Sequence, residues 1–236
     1  MTTIIPQKAR EMTALHAAVA ANDVAQVKQL LEQGGVAVNA KDEDERTPLH
    51  WSAAAGKIDL VELLVTAGHA DVNTQGDSGW TPLMSAVSAG HRDVVGFLLS
   101  KGANANIANE NGQLPLHYHK GRLEVAEILV DYTNDINHAD NTGSTALMRA
   151  IGAKPSRDVL VLLMDHGAKL DARDNAGNTA LHLALMEGHE DIALFLVDTG
   201  ANPNAKNADK QRCIDLASPV LRSQIQAMKE KRELRP

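Results

Sequence analysis

Apolar positions in this chain recur at helical spacing in short bursts, each closed by glycine. In "RDVVGFLLSKG", Val94, Val95, Leu98 and Leu99 share one helical face and Gly102 stops the run. The preceding words, "GDSGWTPLMSAVSAG", predict a tight turn at Gly79, a helix cap at Thr81 and a first helical residue at Pro82, where no N–H is missed. The predicted unit is therefore turn, short helix, turn, longer helix. It returns along the chain. With Thr13, Thr47, Thr81, Leu114, Thr145, Thr179 and Arg212 as markers, successive copies lie 31 to 34 residues apart. One such helix pair cannot hide its own apolar face, so the units must stack and share a core.

Composition fits that picture. Apolar residues make up 44% of the 236 positions but aromatics only 3%, so the core must be built from Leu, Val and Ala, which suits close helix packing. A net charge of −7 repels phosphate and argues against nucleic acid or an anionic membrane surface as partner. The lone Cys213 cannot form an internal disulfide, and the opening "MTTIIPQKAREM" lacks the apolar core of a secretory signal. No run approaches the roughly 18 apolar residues of a membrane span. A soluble monomer of the cytoplasm or nucleus is expected.

The period and the words "TPLH" (47–50), "PLH" (115–117) and "TALH" (179–182) resemble ankyrin repeats over nearly the whole chain. The resemblance implies an all-α solenoid of seven helix-turn-helix units, with a concave binding face made by the short helices and projecting turns. Within a single domain 1–236, the units are a cap at 1–41, internal repeats at 42–75, 76–108, 109–139, 140–173 and 174–206, and a cap with a basic tail at 207–236. The fourth unit, "QLPLHYHKGRLEVAEIL", lacks two residues, so its first helix or the following turn must be shortened. The fifth gains one, which places Pro155 in the turn between helices.

Chemistry is sparse. His50, His117 and His182 all take the fourth place of the TPLH word, where holding the turn is a better reading than metal ligation; His91 and His189 sit in turns between helices. There is no HExxH, no paired Cys and no GxxxxGK[ST]. Cys213 reads as packing, "KDEDER" (41–46) as an acidic loop tip, and "DNAGN" (174–178) as a repeat turn that only resembles part of a calcium loop. No enzyme activity, cofactor or metal is expected. Recognition remains, and the odd letters of each copy carry it. On an ankyrin frame the concave slots hold Asp44, Arg46 and Trp51 in the second unit, Asp77, Trp80 and Ser85 in the third, Tyr118 and Lys120 in the fourth, Arg149 and Lys154 in the fifth, and Glu187 in the sixth. Both tryptophans fall there, and Trp, Tyr and Arg dominate interface energetics. Trp51 and Trp80 can also pack against neighbouring repeats. Units 42–75 and 174–206 are acidic, whereas 140–173 and 207–236 are basic. Such a pattern selects a partner of complementary charge.

"DERTPLHWSAAAG" (44–56), "DSGWTPL" (77–83) and "NENGQLPLHY" (109–118) further resemble the gankyrin-type family of ankyrin-repeat chaperones. That resemblance, over about residues 10–228, implies a non-enzymatic assembly factor of the proteasome regulatory particle that grips the C-terminal domain of one AAA ATPase subunit. The family's contact residues map onto Arg46, Lys120 and Glu187. Its Leu-x-Cys-x-Glu word is "LALME" (183–187) here, with Leu185 in the Cys place, so the retinoblastoma-binding activity tied to that word is not implied. A generic ankyrin adaptor with another protein partner is the alternative reading.

Overall fold

The computed structural model describes residues 13–152 and 155–233. They form two compact units divided after Glu110. Among the described residues there is no strand, only an isolated bridge between Lys206 and Arg212. The fold is all-helical, as the apolar period requires.

The first unit holds three helix pairs: α1 (Ala14–Ala20) with α2 (Val24–Gln33), α3 (Pro48–Ala54) with α4 (Ile58–Thr66), and α5 (Pro82–Ala89) with α6 (Arg92–Ser100). The short helices α1, α3 and α5 pack side by side, and the longer ones back them in the same order. Leu60, Leu64, Leu83, Met84 and Leu98 are fully buried between the two rows. Each of these side chains contributes about 1.5–3 kcal/mol of transfer free energy.

In the second unit, α7 (Leu123–Val130) follows a one-turn 3₁₀ helix, Pro115–Tyr118; then come α8 (Ala146–Arg149) with α9 (Arg157–Asp165), α10 (Ala180–Met186) with α11 (Glu190–Thr199), and a 3₁₀ turn, Cys213–Leu216, with α12 (Pro219–Glu233). The expected shortening of the fourth repeat is thus a loss of α-helix: one turn of 3₁₀ helix stands where α3 has seven residues. His119 fills the space this leaves. It is fully buried, its Nδ1 accepts the Gly121 N–H (2.9 Å) and its Nε2 donates to the Ala146 carbonyl (3.3 Å). Pro155 lies between α8 and α9, as expected.

One hydrogen-bonding device recurs at the start of the short helices. Thr81 and Thr145 accept the N–H three residues on through Oγ1 (3.2 and 3.4 Å). Where histidine stands at that third position, its ring reaches back. Nδ1 of His50, His117 and His182 accepts the N–H of Thr47, Leu114 and Thr179 (3.1, 3.2 and 3.1 Å). The opposite nitrogen donates to the next repeat: His16 to the Arg46 carbonyl (2.9 Å), His50 to Trp80 (3.0 Å), His117 to Ser144 (3.2 Å) and His182 to Gln211 (3.2 Å). A carbonyl can only accept, so Nε2 carries the proton; at His50, His117 and His182, where Nδ1 accepts an N–H, it is the only ring proton. Burial lowers the pKa of His50 and His117 in keeping with that form. In the last repeat Asp215 does the histidine's local work, accepting the Arg212 N–H at 3.2 Å.

The turns before these helices also stack closely. Gly143 has φ +78° and a Cβ there would lie 2.7 Å from Asn175 N, so both conformation and space demand glycine.

Candidate protein-binding face

In the first unit a single turn, closed by the Asp42 N–H to the Arg46 carbonyl (2.9 Å), organises three of the predicted residues. Asp42 Oδ1 accepts the N–H groups of Asp44 (3.0 Å) and Arg46 (2.8 Å), which shapes the turn. Its Oδ2 accepts Trp51 Nε1 (2.8 Å) and Arg46 Nε (3.2 Å). The Arg46 guanidinium lies 5.0 Å over the Trp51 ring and pairs also with Asp44 at 2.6 Å. Trp51 meets the His16 ring edge-on at 5.8 Å. Burial alone would raise the pKa of Asp42, but the Arg46 N–H, the indole and the guanidinium outweigh it and hold the carboxyl below its usual range. Asp44, Arg46, Asp77, Trp80 and Ser85 then line one open cleft of about 260 Å³, floored by His50 and Gly76. Both tryptophans are half-buried: each packs and each shows a surface.

The second unit has its own version. Asp140 Oδ1 accepts the N–H groups of Thr142 (2.8 Å) and Ser144 (3.0 Å), while Oδ2 pairs with Arg149 and accepts Gln113 Nε2 (3.2 Å). Gln113 Oε1 in turn accepts the Tyr118 hydroxyl. Burial raises the Asp140 pKa, yet the Thr142 hydroxyl, Arg149 and the two turn N–H groups outweigh it and hold the carboxyl well below the ordinary carboxylate range. Tyr118 is half-buried, Lys120 is exposed with φ +49°, and Glu187 is exposed at the end of α10. Lys154 lies outside the described residues.

Three residues beside the predicted ones in their own units escape a reading of the slots alone. Met186, beside Glu187, is 60% exposed. Asp42 and Asp140 stand nine residues before Trp51 and Arg149; the repeated spacing is visible in the sequence, but its use as a hydrogen bond is not.

The described residues contain no group of three or more His, Cys, Asp or Glu placed to hold a metal ion. Cys213 is fully buried and packed against His182, and burial pushes its thiol up to about 11, the opposite of an activated nucleophile. No described helix is long and apolar enough to cross a membrane.

The profile of the family described as "Ankyrin repeats (3 copies)" matches residues 3–76, 68–140, 101–174 and 119–207. This chain belongs to the ankyrin-repeat family. Among solved structures it is similar to the ankyrin repeat domain of Bcl-3, a member of the IkappaB family (27% identity, TM-score 0.78, 91% of this chain and 98% of that one). It is likewise similar to the human ASB11 ankyrin repeat domain (29%, TM-score 0.79, 92% and 97%). A chain from the complex of the Bdellovibrio bacteriovorus endopeptidase Bd0816 with the immunity protein Bd3460 also matches (28%, TM-score 0.71, 79% and 97%). Ankyrin repeats are non-catalytic scaffolds for protein–protein interaction, and that is the general function of this fold.

Proposed function

We propose that the chain grips a folded protein partner through the turn tips and short-helix slots, and that the partner is the C-terminal domain of a proteasomal AAA ATPase subunit, in the role of a regulatory-particle assembly chaperone. The observation that carries the binding reading is the first-unit cleft, where Trp80 stands beside the exposed carboxylates of Asp44 and Asp77 and beside Arg46. An aromatic wall flanked by both signs of charge fits a protein surface better than a small metabolite. The ATPase reading is supported by the words around Arg46, Trp80 and Tyr118. A generic adaptor role, in the manner of any ankyrin scaffold, is the second reading, favoured by the even similarity to Bcl-3 and ASB11.

Titration against the isolated ATPase C-terminal domain at two salt concentrations tests the proposal. Glu187→Lys should weaken binding without affecting folding, because the side chain is exposed. Trp80→Ala should cost about 2 kcal/mol of affinity if the ring is an anchor. Reversal of Arg46 is a poorer probe, because Arg46 neutralises the Asp42 carboxylate, whose side chain is only 7% exposed. Wild-type affinity that ignores both salt and Glu187→Lys would move the docking site elsewhere and leave the adaptor reading ahead.

A further inference from the structure

We infer that Asp42 and Asp140 are positioning residues for partner binding: each buried carboxylate builds its turn with one oxygen and, with the other, immobilises side chains of the candidate face within its own unit. The inference rests on that face being the one that binds. Four of its predicted residues are involved. Arg46 and Trp51 are tied to Asp42, while Arg149 directly and Tyr118 through Gln113 are tied to Asp140.

The division of labour between the oxygens is the same in both units. Oδ1 takes two turn N–H groups, and Oδ2 takes only side-chain donors. Asp174 shows the turn-building half alone. Its Oδ1 accepts the N–H groups of Ala176 (2.9 Å) and Asn178 (2.8 Å), but its Oδ2 reaches only Asn178 of the same turn (3.2 Å). Asn207 shows that the carboxylate is not needed for the turn. Its Oδ1 accepts the Gln211 N–H at 3.0 Å while its Nδ2 donates to Asn178 at 3.1 Å. The ionised second oxygen at 42 and 140 is therefore surplus to folding the turn, and it is spent on long, rotamer-rich side chains. The Asp140 side chain is 1% exposed and that of Arg149 38%, so the carboxylate holds the arginine from behind while its outer surface stays accessible. Fixing such side chains before encounter removes ordering entropy that binding would otherwise cost.

Asparagine separates the two functions. In Asp42→Asn the amide oxygen keeps the turn, but the NH₂ meets Trp51 Nε1–H and the Arg46 guanidinium, all donors. Nitrogen-15 NMR of the whole protein should show faster exchange of the Trp51 indole and Arg46 Nε–H protons in this variant, with the Trp80 indole unchanged. Asp140→Asn should do the same to the Arg149 Nη2 protons. With the isolated C-terminal domain of a proteasomal AAA ATPase as probe, each variant should bind about tenfold more weakly, against less than about twofold for Asp174→Asn. In an Arg46→Ala, Trp51→Phe background, Asp42→Asn should cost no further affinity, a coupling that a purely structural role would not produce. Unchanged indole and guanidinium exchange overturns the inference whatever the partner; freed side chains with wild-type affinity overturn it as well. If the wild-type protein does not bind the probe, the ATPase reading falls, and the exchange measurements still decide whether these carboxylates immobilise the face.

Discussion

Melting temperature, followed by far-UV circular dichroism, should fall steeply between pH 6.5 and 4, beginning well above the range in which ordinary carboxylates are protonated. The cause is histidines that the fold keeps neutral. Burial pulls His119 from 6.5 down to about 4 and lowers His50 and His117 in the same direction. Above pH 6.5 neither folded nor unfolded chain carries these protons, and stability is complete. As pH falls through 6.5 the unfolded chain takes up protons that the fold refuses, so stability declines with each step until the folded pKa is reached. For His119 alone the loss by pH 4 is about 3 kcal/mol. Asp140, whose carboxyl is depressed, contributes in the same direction at still lower pH, since its stabilisation is present above the unfolded carboxylate range and lost on protonation. His119→Leu should flatten the slope between pH 6.5 and 4. A wild-type melting temperature constant from pH 7 to 4.5 would rule this account out.

His50→Ala should cost about 3 kcal/mol, because a buried N–H loses its partner and a hydrogen bond between repeats is lost with it. The Thr47 N–H, buried at the helix start, loses Nδ1, and the Trp80 carbonyl loses Nε2 and keeps the Gly76 N–H alone. For a chain of this size the melting temperature should drop by roughly 6–12 °C. His50→Asn is the informative companion: its amide oxygen can accept the Thr47 N–H, but the side chain is too short to reach Trp80, so a smaller loss is expected. Equal losses for the two variants would place the whole effect in the link between repeats, and no loss in either would remove the staple from the account of stability.

Much of this molecule is legible in its letters because the decisive contacts are local. Thr81 capping the N–H of Met84 and Pro82 at the first helical position follow from residues that touch across three positions, and the turn glycines follow from the φ they must adopt. The histidine role is half legible in the same way. "TPLH" announces the bond from His50 back to Thr47, but the second bond, to Trp80 thirty residues on, exists only once the repeats stack.

The face divides similarly. Periodic slots in the sequence place Trp51, Trp80, Arg46 and Arg149 on turns and short helices, because each copy repeats the same backbone path. Whether Trp51 or Arg149 is loose or fixed depends on what the turn carboxylate nine residues earlier can reach, and that distance belongs to the folded turn. The sequence by itself determined the repeat, the threonines that cap its short helices and the turn-holding place of its TPLH histidines, since these rest on spacing and on residue chemistry. Only the tertiary structure decided that His119 fills the gap left by two missing residues, that Met186 stands exposed beside Glu187, and that Asp42 reaches Arg46 and Trp51 while Asp140 reaches Arg149. Burial and long-range hydrogen bonds arise when helices pack at a fixed separation, and no single copy of the repeat encodes that separation alone.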